Sequence, residues 1–173
     1  PARILTEALC KANAVIAKQA GEDDRFAGMG TTVVAATIDG SELIAANVGD
    51  SRLYVVNEGI EQVTEDHSLV QEMVRGGGIN KEEARIHPNK NIITRAVGLE
   101  KYLKVDCFRR ELRPGDIVLL CSDGLTDMLE DEAIWRILSK EGGVHTKAEE
   151  LVRAANDNGG RDNIAVIVLD PFS

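Results

Sequence analysis

The stretch Ile117-Val118-Leu119-Leu120-Cys121-Ser122-Asp123-Gly124-Leu125-Thr126-Asp127 carries the reading of the whole chain. Ile117 to Cys121 is almost wholly apolar and too short for a core helix, so it reads as a buried strand. It ends at once on Asp123-Gly124. A carboxylate at the end of a buried strand is costly unless it is paired or ligated, and glycine beside it lets a ligand or another backbone approach. Asp127 follows Asp123 by four residues, so one helical turn there places both carboxylates on one face. Like charges at that spacing repel unless a cation offsets them.

Two other aspartates share this setting. Asp50 follows Asn47-Val48-Gly49 at the end of an apolar run, and Asp162 precedes Asn163-Ile164-Ala165-Val166-Ile167-Val168. Oxygen-only clusters suit hard cations such as magnesium and manganese. For any one aspartate, Asp-Gly or Gly-Asp is equally a plain turn former. Acidic residues before a helix also serve as caps, as Glu130, Asp131 and Glu132 do for the next one. Spacing alone leaves the metal and turn readings both open.

The surrounding elements follow from periodicity. Arg3 to Gly21 reads as a helix, with Ile4, Leu5, Leu9, Ala12, Val15 and Ile16 at three- and four-residue steps. Thr31 to Thr37 reads as a strand buried on both faces. Leu43–Val48, Leu53–Val56 and Glu61–Thr64 extend it into a β-meander. Residues 66–98 are polar and broken, with short helices at Leu69–Arg75 and after Asn80 and a strand at Ile92–Val97; they read as a flap over the sheet. Lys104–Phe108 is a further strand. Helices over Asp131–Lys140 and Thr146–Asn156 precede a closing strand, Ile164–Leu169. Strands in the middle and helices at both flanks indicate sheets covered by helices, an α+β class.

Composition narrows the function. The 173 residues are 43% hydrophobic and 28% charged, which suits one folded domain and excludes a disordered chain. Twenty Lys and Arg against 29 Asp and Glu give a formal net charge of -9, which disfavours nucleic acid. No apolar run reaches the length of a membrane span. Cys10, Cys107 and Cys121 are far apart, no signal-peptide pattern precedes Pro1, and a cytoplasmic setting is expected. Met29-Gly30-Thr31-Thr32 opens a strand, so a phosphate loop at a helix N-terminus is not indicated. His67 reads as a structural hydrogen bonder in its turn, His87 as an exposed or substrate-side residue, and His145 as unremarkable.

Six motifs stand in order: Gly28-Met29-Gly30-Thr31-Thr32, Val48-Gly49-Asp50-Ser51-Arg52, Thr64-Glu65-Asp66-His67-Ser68, Asn91-Ile92-Ile93-Thr94-Arg95-Ala96-Val97-Gly98, Ser122-Asp123-Gly124-Leu125-Thr126-Asp127 and Gly160-Arg161-Asp162-Asn163-Ile164. Together they resemble the type 2C family of metal-dependent protein serine/threonine phosphatases in its compact bacterial form, from about Leu5 to Leu169. The resemblance implies a four-layer α-β-β-α sandwich of two antiparallel sheets flanked by helices, in a single domain over residues 1–173 with a variable flap at about 66–98. It implies Mn2+ or Mg2+ as cofactor, with Asp123 and Asp162 on one ion of a dinuclear pair and Asp50, Asp123 and Asp127 at a third, weaker site. Phosphorylated proteins in signalling would be the substrates, hydrolysed without a phosphoenzyme.

The family's start differs. It opens on a strand bearing a phosphate-clamping arginine, then an Asp-Gly-Met-Gly-Gly-His stretch with the bridging aspartate and the candidate general-acid histidine. This sequence has neither. The chain is therefore expected to match the C-terminal three quarters of the domain, with the first strands missing, no catalytic residue of its own and weak or no activity alone. Unpaired edges lead to an expectation of self-association or a companion N-terminal fragment. The alternative is a non-catalytic binding or regulatory module of phosphatase fold.

Overall fold

Four of the six apolar positions in the first helix face one way, and they decide where it packs. In the computed structural model, which describes residues 1–173, α1 spans Ala2–Glu22. Leu5, Leu9, Ala12 and Ile16 pack on Ala46, Val48 and Val97. Ile4 and Val15 are left exposed, so the buried stripe is narrower than the periodicity suggests. The strands are β1 (Val33–Asp39), β2 (Glu42–Val48), β3 (Arg52–Val56), β4 (Ile60–Gln62), β5 (Asp106–Glu111), β6 (Ile117–Cys121) and β7 (Val166–Leu169). They form two antiparallel sheets, ordered β1-β2-β5 and β4-β3-β6-β7, and helices flank them. The class is α+β, as expected.

The expected meander is corrected. The hairpins β1–β2 and β3–β4 both form, but in different sheets, and the chain changes sheet at Gly49-Asp50-Ser51. Gly49 holds φ at +110°, a turn no ordinary residue adopts easily. The expected burial of Thr31–Thr37 on both faces is corrected too: β1 is only half-buried because it ends its sheet's order and has one neighbour. Ile92–Val97 does not form a strand. It touches others only through isolated bridges, Ser68 with Ile93 and Thr31 with Val97.

The chain divides into two compact units. One comprises Pro1–Ala35, Ala46–Asp50 and Glu65–Cys107. Besides α1 it holds α2 (Leu69–Arg75), capped by Ser68, and α3 (Lys81–Ile86), where Asn80 and Glu83 bond each other's backbone amides as a capping box. Asn13, almost wholly buried on α1, fixes the chain at residues 98–100. Its Oδ1 accepts the Gly98 N–H at 2.7 Å and its Nδ2 donates to the Glu100 carbonyl at 2.7 Å. Asn13→Ala orphans a buried N–H and is expected to cost about 2–3 kcal/mol in urea unfolding. A loss below about 0.5 kcal/mol would show that the 98–100 turn holds without it.

The other unit comprises Ala36–Ala45, Ser51–Thr64 and Phe108–Ser173. Its core joins Tyr54, Leu119 and Cys121 of the four-stranded sheet to α4 (Asp123–Thr126), α5 (Asp131–Leu138) and α6 (Val144–Asp157), through Leu125, Ile134, Leu138 and Leu151. All five residues of β6 are buried. The Tyr54 hydroxyl, deep in this core, is satisfied by donating to Asp131 Oδ1 at 3.1 Å and accepting from Arg52 at 2.9 Å.

Candidate metal centre

β6 and β7 run antiparallel with Cys121 opposite Val166, so the residues after β6 meet those before β7. Ser122 joins the two strand ends. Its N–H donates to the Ala165 carbonyl at 3.0 Å, its Oγ accepts the Ala165 N–H at 3.0 Å, and its hydroxyl donates to the Asn163 carbonyl at 3.2 Å. Gly124 lies against the same backbone: a Cβ there would sit 2.2 Å from the Asn163 carbonyl oxygen. Only a residue without a side chain allows this approach, which sets Asp123 beside Asp162. Asp162 Oδ1 accepts the Asn163 N–H at 2.7 Å, and the double-glycine turn Gly159-Gly160, both with positive φ, delivers the segment.

The single turn of α4 places Asp127 on the face of Asp123, with the Asp127 N–H donating to the Asp123 carbonyl at 2.8 Å. The expected helical spacing is therefore realised. Asp123 is half-buried. Burial, then the charges of Asp162 and Asp127, push its carboxyl above the usual carboxylate range. At this end of the sheet the charges that weigh most on Asp123 are thus two other carboxylates. All their donors are hard oxygens, which fits a divalent cation. The set is partial, since no three acidic, histidine or cysteine side chains are gathered tightly enough to hold an ion alone.

Asp50 lies in the first unit, directly after Gly49, and is half-buried. There His67 is buried and makes the structural bonds expected of it. Its Nδ1 accepts the Gly49 N–H at 3.0 Å, which leaves Nε2 protonated to donate to Asp106 Oδ2 at 2.9 Å. Arg95 Nη1 sits 3.1 Å from Asp106 Oδ1. Burial pushes the Asp106 carboxyl up, but the His67 hydrogen bond and the Arg95 charge prevail and hold it below its ordinary value. The sequence does not single out Asp106, because no local spacing ties it to His67. Of the other histidines, His87 is partly buried and His145 lies exposed at the start of α6, 3.3 Å from Glu149.

A sequence profile described as protein phosphatase 2C matches residues 3–164. The chain is 46% identical over 144 residues to the serine/threonine phosphatase stp of Listeria innocua serovar 6a, covering 83% of this chain and 57% of that protein. Its fold superposes on the crystal structure of the serine/threonine phosphatase Stp1 from Staphylococcus aureus with a TM-score of 0.94, at 41% identity over 96% of this chain and 66% of that one. It is also similar, with a TM-score of 0.81 and 38% identity over 91% of this chain and 66% of the other, to the catalytic domain of the serine/threonine protein phosphatase PstP in complex with two manganese ions. The chain thus spans a little over half the length of the Listeria protein.

Proposed function

The chain belongs to the protein phosphatase 2C family, and we propose that it forms part of a metal-dependent hydrolase acting on phosphoserine and phosphothreonine in proteins. The observation that carries this reading is the seating of Asp123 against the Asp162 loop through Gly124, with Asp127 one turn away. Residues 1–173 would act as one phosphatase-type domain, with about 66–98 as its flap.

Asp123 and Asp162 would hold one ion of a dinuclear pair. Asp123 and Asp127 would contribute to a third, weaker site, and Asp50, in the other unit, is a candidate cation ligand on the resemblance of its motif. Mn2+ or Mg2+ fits these donors, and the manganese in the PstP structure supports the choice of a divalent cation. Cations bound there neutralise phosphoryl oxygens and lower the pKa of water. The chain's own residues supply the frame. Ser122 locks β6 to the start of β7, Gly124 admits the Asn163 backbone, and the α4 turn keeps Asp127 on the Asp123 face. No helix is long and apolar enough to cross a membrane.

The test measures phosphate release from a phosphothreonine peptide alongside Mn2+ binding by calorimetry. Mn2+ binding that Asp162→Ala weakens about tenfold or more, with metal-dependent phosphate release, supports the reading. Binding untouched by Asp162→Ala would show that these carboxylates are not the ligands. Cation binding with no hydrolysis of any phosphopeptide would favour a non-catalytic module of the same fold, a reading the partial ligand set keeps in view.

A further inference from the structure

Gly49, the residue in front of Asp50, is held at both of its polar groups by one histidine. The Gly49 N–H donates to His67 Nδ1 at 3.0 Å, and the His67 N–H donates to the Gly49 carbonyl at 2.9 Å. Asn47 Nδ2 adds a second donor to that carbonyl at 3.2 Å. The Gly49 carbonyl shares its peptide plane with the nitrogen and Cα of Asp50. Fixing that carbonyl therefore fixes the direction in which Asp50 leaves the turn. Position 49 has no slack on its other side, where a Cβ would lie 2.4 Å from Thr32 Cγ2.

The histidine is itself immobilised. It is 5% exposed, and its ring Nε2 lies 2.9 Å from both Asp106 Oδ2 and Arg95 Nη1, which are themselves paired. Its carbonyl accepts the Thr94 N–H at 2.8 Å, so the beginning and the end of the 66–98 segment are tied together at this one residue. A ring that only filled space would not need a fixed tautomer. This one must present a bare Nδ1 to the Gly49 N–H, which leaves Nε2 to carry the proton toward Asp106.

We propose that His67 is a positioning residue for Asp50, orienting its carboxylate for a divalent cation through the Gly49 peptide; the inference rests on the reading of Asp50 as a cation ligand. Side chains that orient a ligand in this way influence metal affinity by about 10- to 100-fold. A merely structural histidine would instead lower stability and leave cation binding alone.

Two substitutions separate the ring's nitrogens. His67→Asn puts an amide oxygen near the place of Nδ1 and keeps an acceptor for the Gly49 N–H. His67→Gln reaches the place of Nε2 and Asp106 but abandons Gly49. Mn2+ titration by calorimetry is expected to show about tenfold weaker binding for His67→Gln, recovery in His67→Asn, and no further loss when His67→Gln is added to Asp50→Ala. Equal weakening in Asn and Gln would overturn the inference, as would unchanged binding in His67→Gln while Asp50→Ala weakens it; in both cases the ligand reading of Asp50 stands. Unchanged binding in Asp50→Ala removes the ligand reading and the inference with it. Nitrogen NMR of the unaltered chain gives a check independent of any variant's folding: His67 must show a bare Nδ1 and a protonated Nε2, and the opposite tautomer overturns the proposal.

Discussion

Asp123→Asn is expected to raise the melting temperature of the metal-free chain and to abolish its stabilisation by Mn2+. The two effects have one cause. Asp123 is half-buried and its carboxyl is pushed up, first by burial and then by Asp162 and Asp127, so its charge works against folding when no cation is present. An i,i+4 like-charge pair costs about 0.2–0.5 kcal/mol, and Asp162 and burial add to it, giving a relief of about 1 kcal/mol on neutralisation. For a chain of this length that is about 2–4 °C. With Mn2+ at a hundred times its Kd the unaltered chain gains about 2.7 kcal/mol by mass action, which the variant forgoes. The order of melting temperatures should therefore invert when manganese is added.

The pH dependence has a definite sign. A carboxyl whose folded pKa is raised takes up its proton in the native state first, so stability rises as pH falls through the folded value. That gain is complete below the ordinary value of 3.8. The advantage of Asp123→Asn should thus be full at neutral pH and shrink on acidification. Thermal unfolding of both proteins, with and without Mn2+, checks all three points. A metal-free variant that melts lower than its parent, or an equal manganese shift in both, would remove Asp123 from the proposed ligand set.

Local features carry well from sequence to structure. The Asp123–Asp127 relation is one helical turn, and the Asn80–Glu83 box needs only three residues. Long-range relations are not legible. Asp123 and Asp162 meet because Cys121 pairs with Val166, and no spacing in the sequence encodes that register. The two hairpins are legible, but their assignment to separate sheets is not, since Gly49-Asp50-Ser51 reads like any tight turn and its φ of +110° is invisible in one dimension. Ile92, Ile93 and Thr94 have strand propensity without a partner strand to satisfy it, so only single bridges form. His67 reads correctly as a hydrogen bonder, yet its ring partners, Gly49 and Asp106, lie far off in sequence.

Gly124→Ala is expected to be the most destabilising single-methyl change in the second unit. From sequence, Asp123-Gly124 could be a turn that needs glycine for its conformation. The structure assigns another reason, because Gly124 is absent from the glycines with positive φ and sits inside the α4 turn. Any residue could adopt that backbone, and alanine would be favoured there by about 1 kcal/mol on helix propensity. Sterics oppose this more strongly. The new Cβ would lie 2.2 Å from the Asn163 oxygen and 2.9 Å from its carbon, both backbone atoms that no rotamer change can move. Either α4 lifts away or the Ser122–Ala165 bonds break. Overpacking costs about 1–3 kcal/mol, and each lost hydrogen bond about 1 more. The net expectation is about 2–4 kcal/mol, seen as a melting temperature lowered by about 5–15 °C. Gly21→Ala supplies the opposite control. It lies in α1 with nothing within 4 Å of the place a Cβ would take, so it should stabilise by up to about 1 kcal/mol. Because the methyl would force the Asp123 backbone away from the Asp162 loop, Gly124→Ala should also weaken Mn2+ binding, whereas Gly21→Ala should not. A Gly124→Ala chain that melts and binds manganese like its parent would mean that the close approach of α4 to Asn163 is not what holds the two aspartates together.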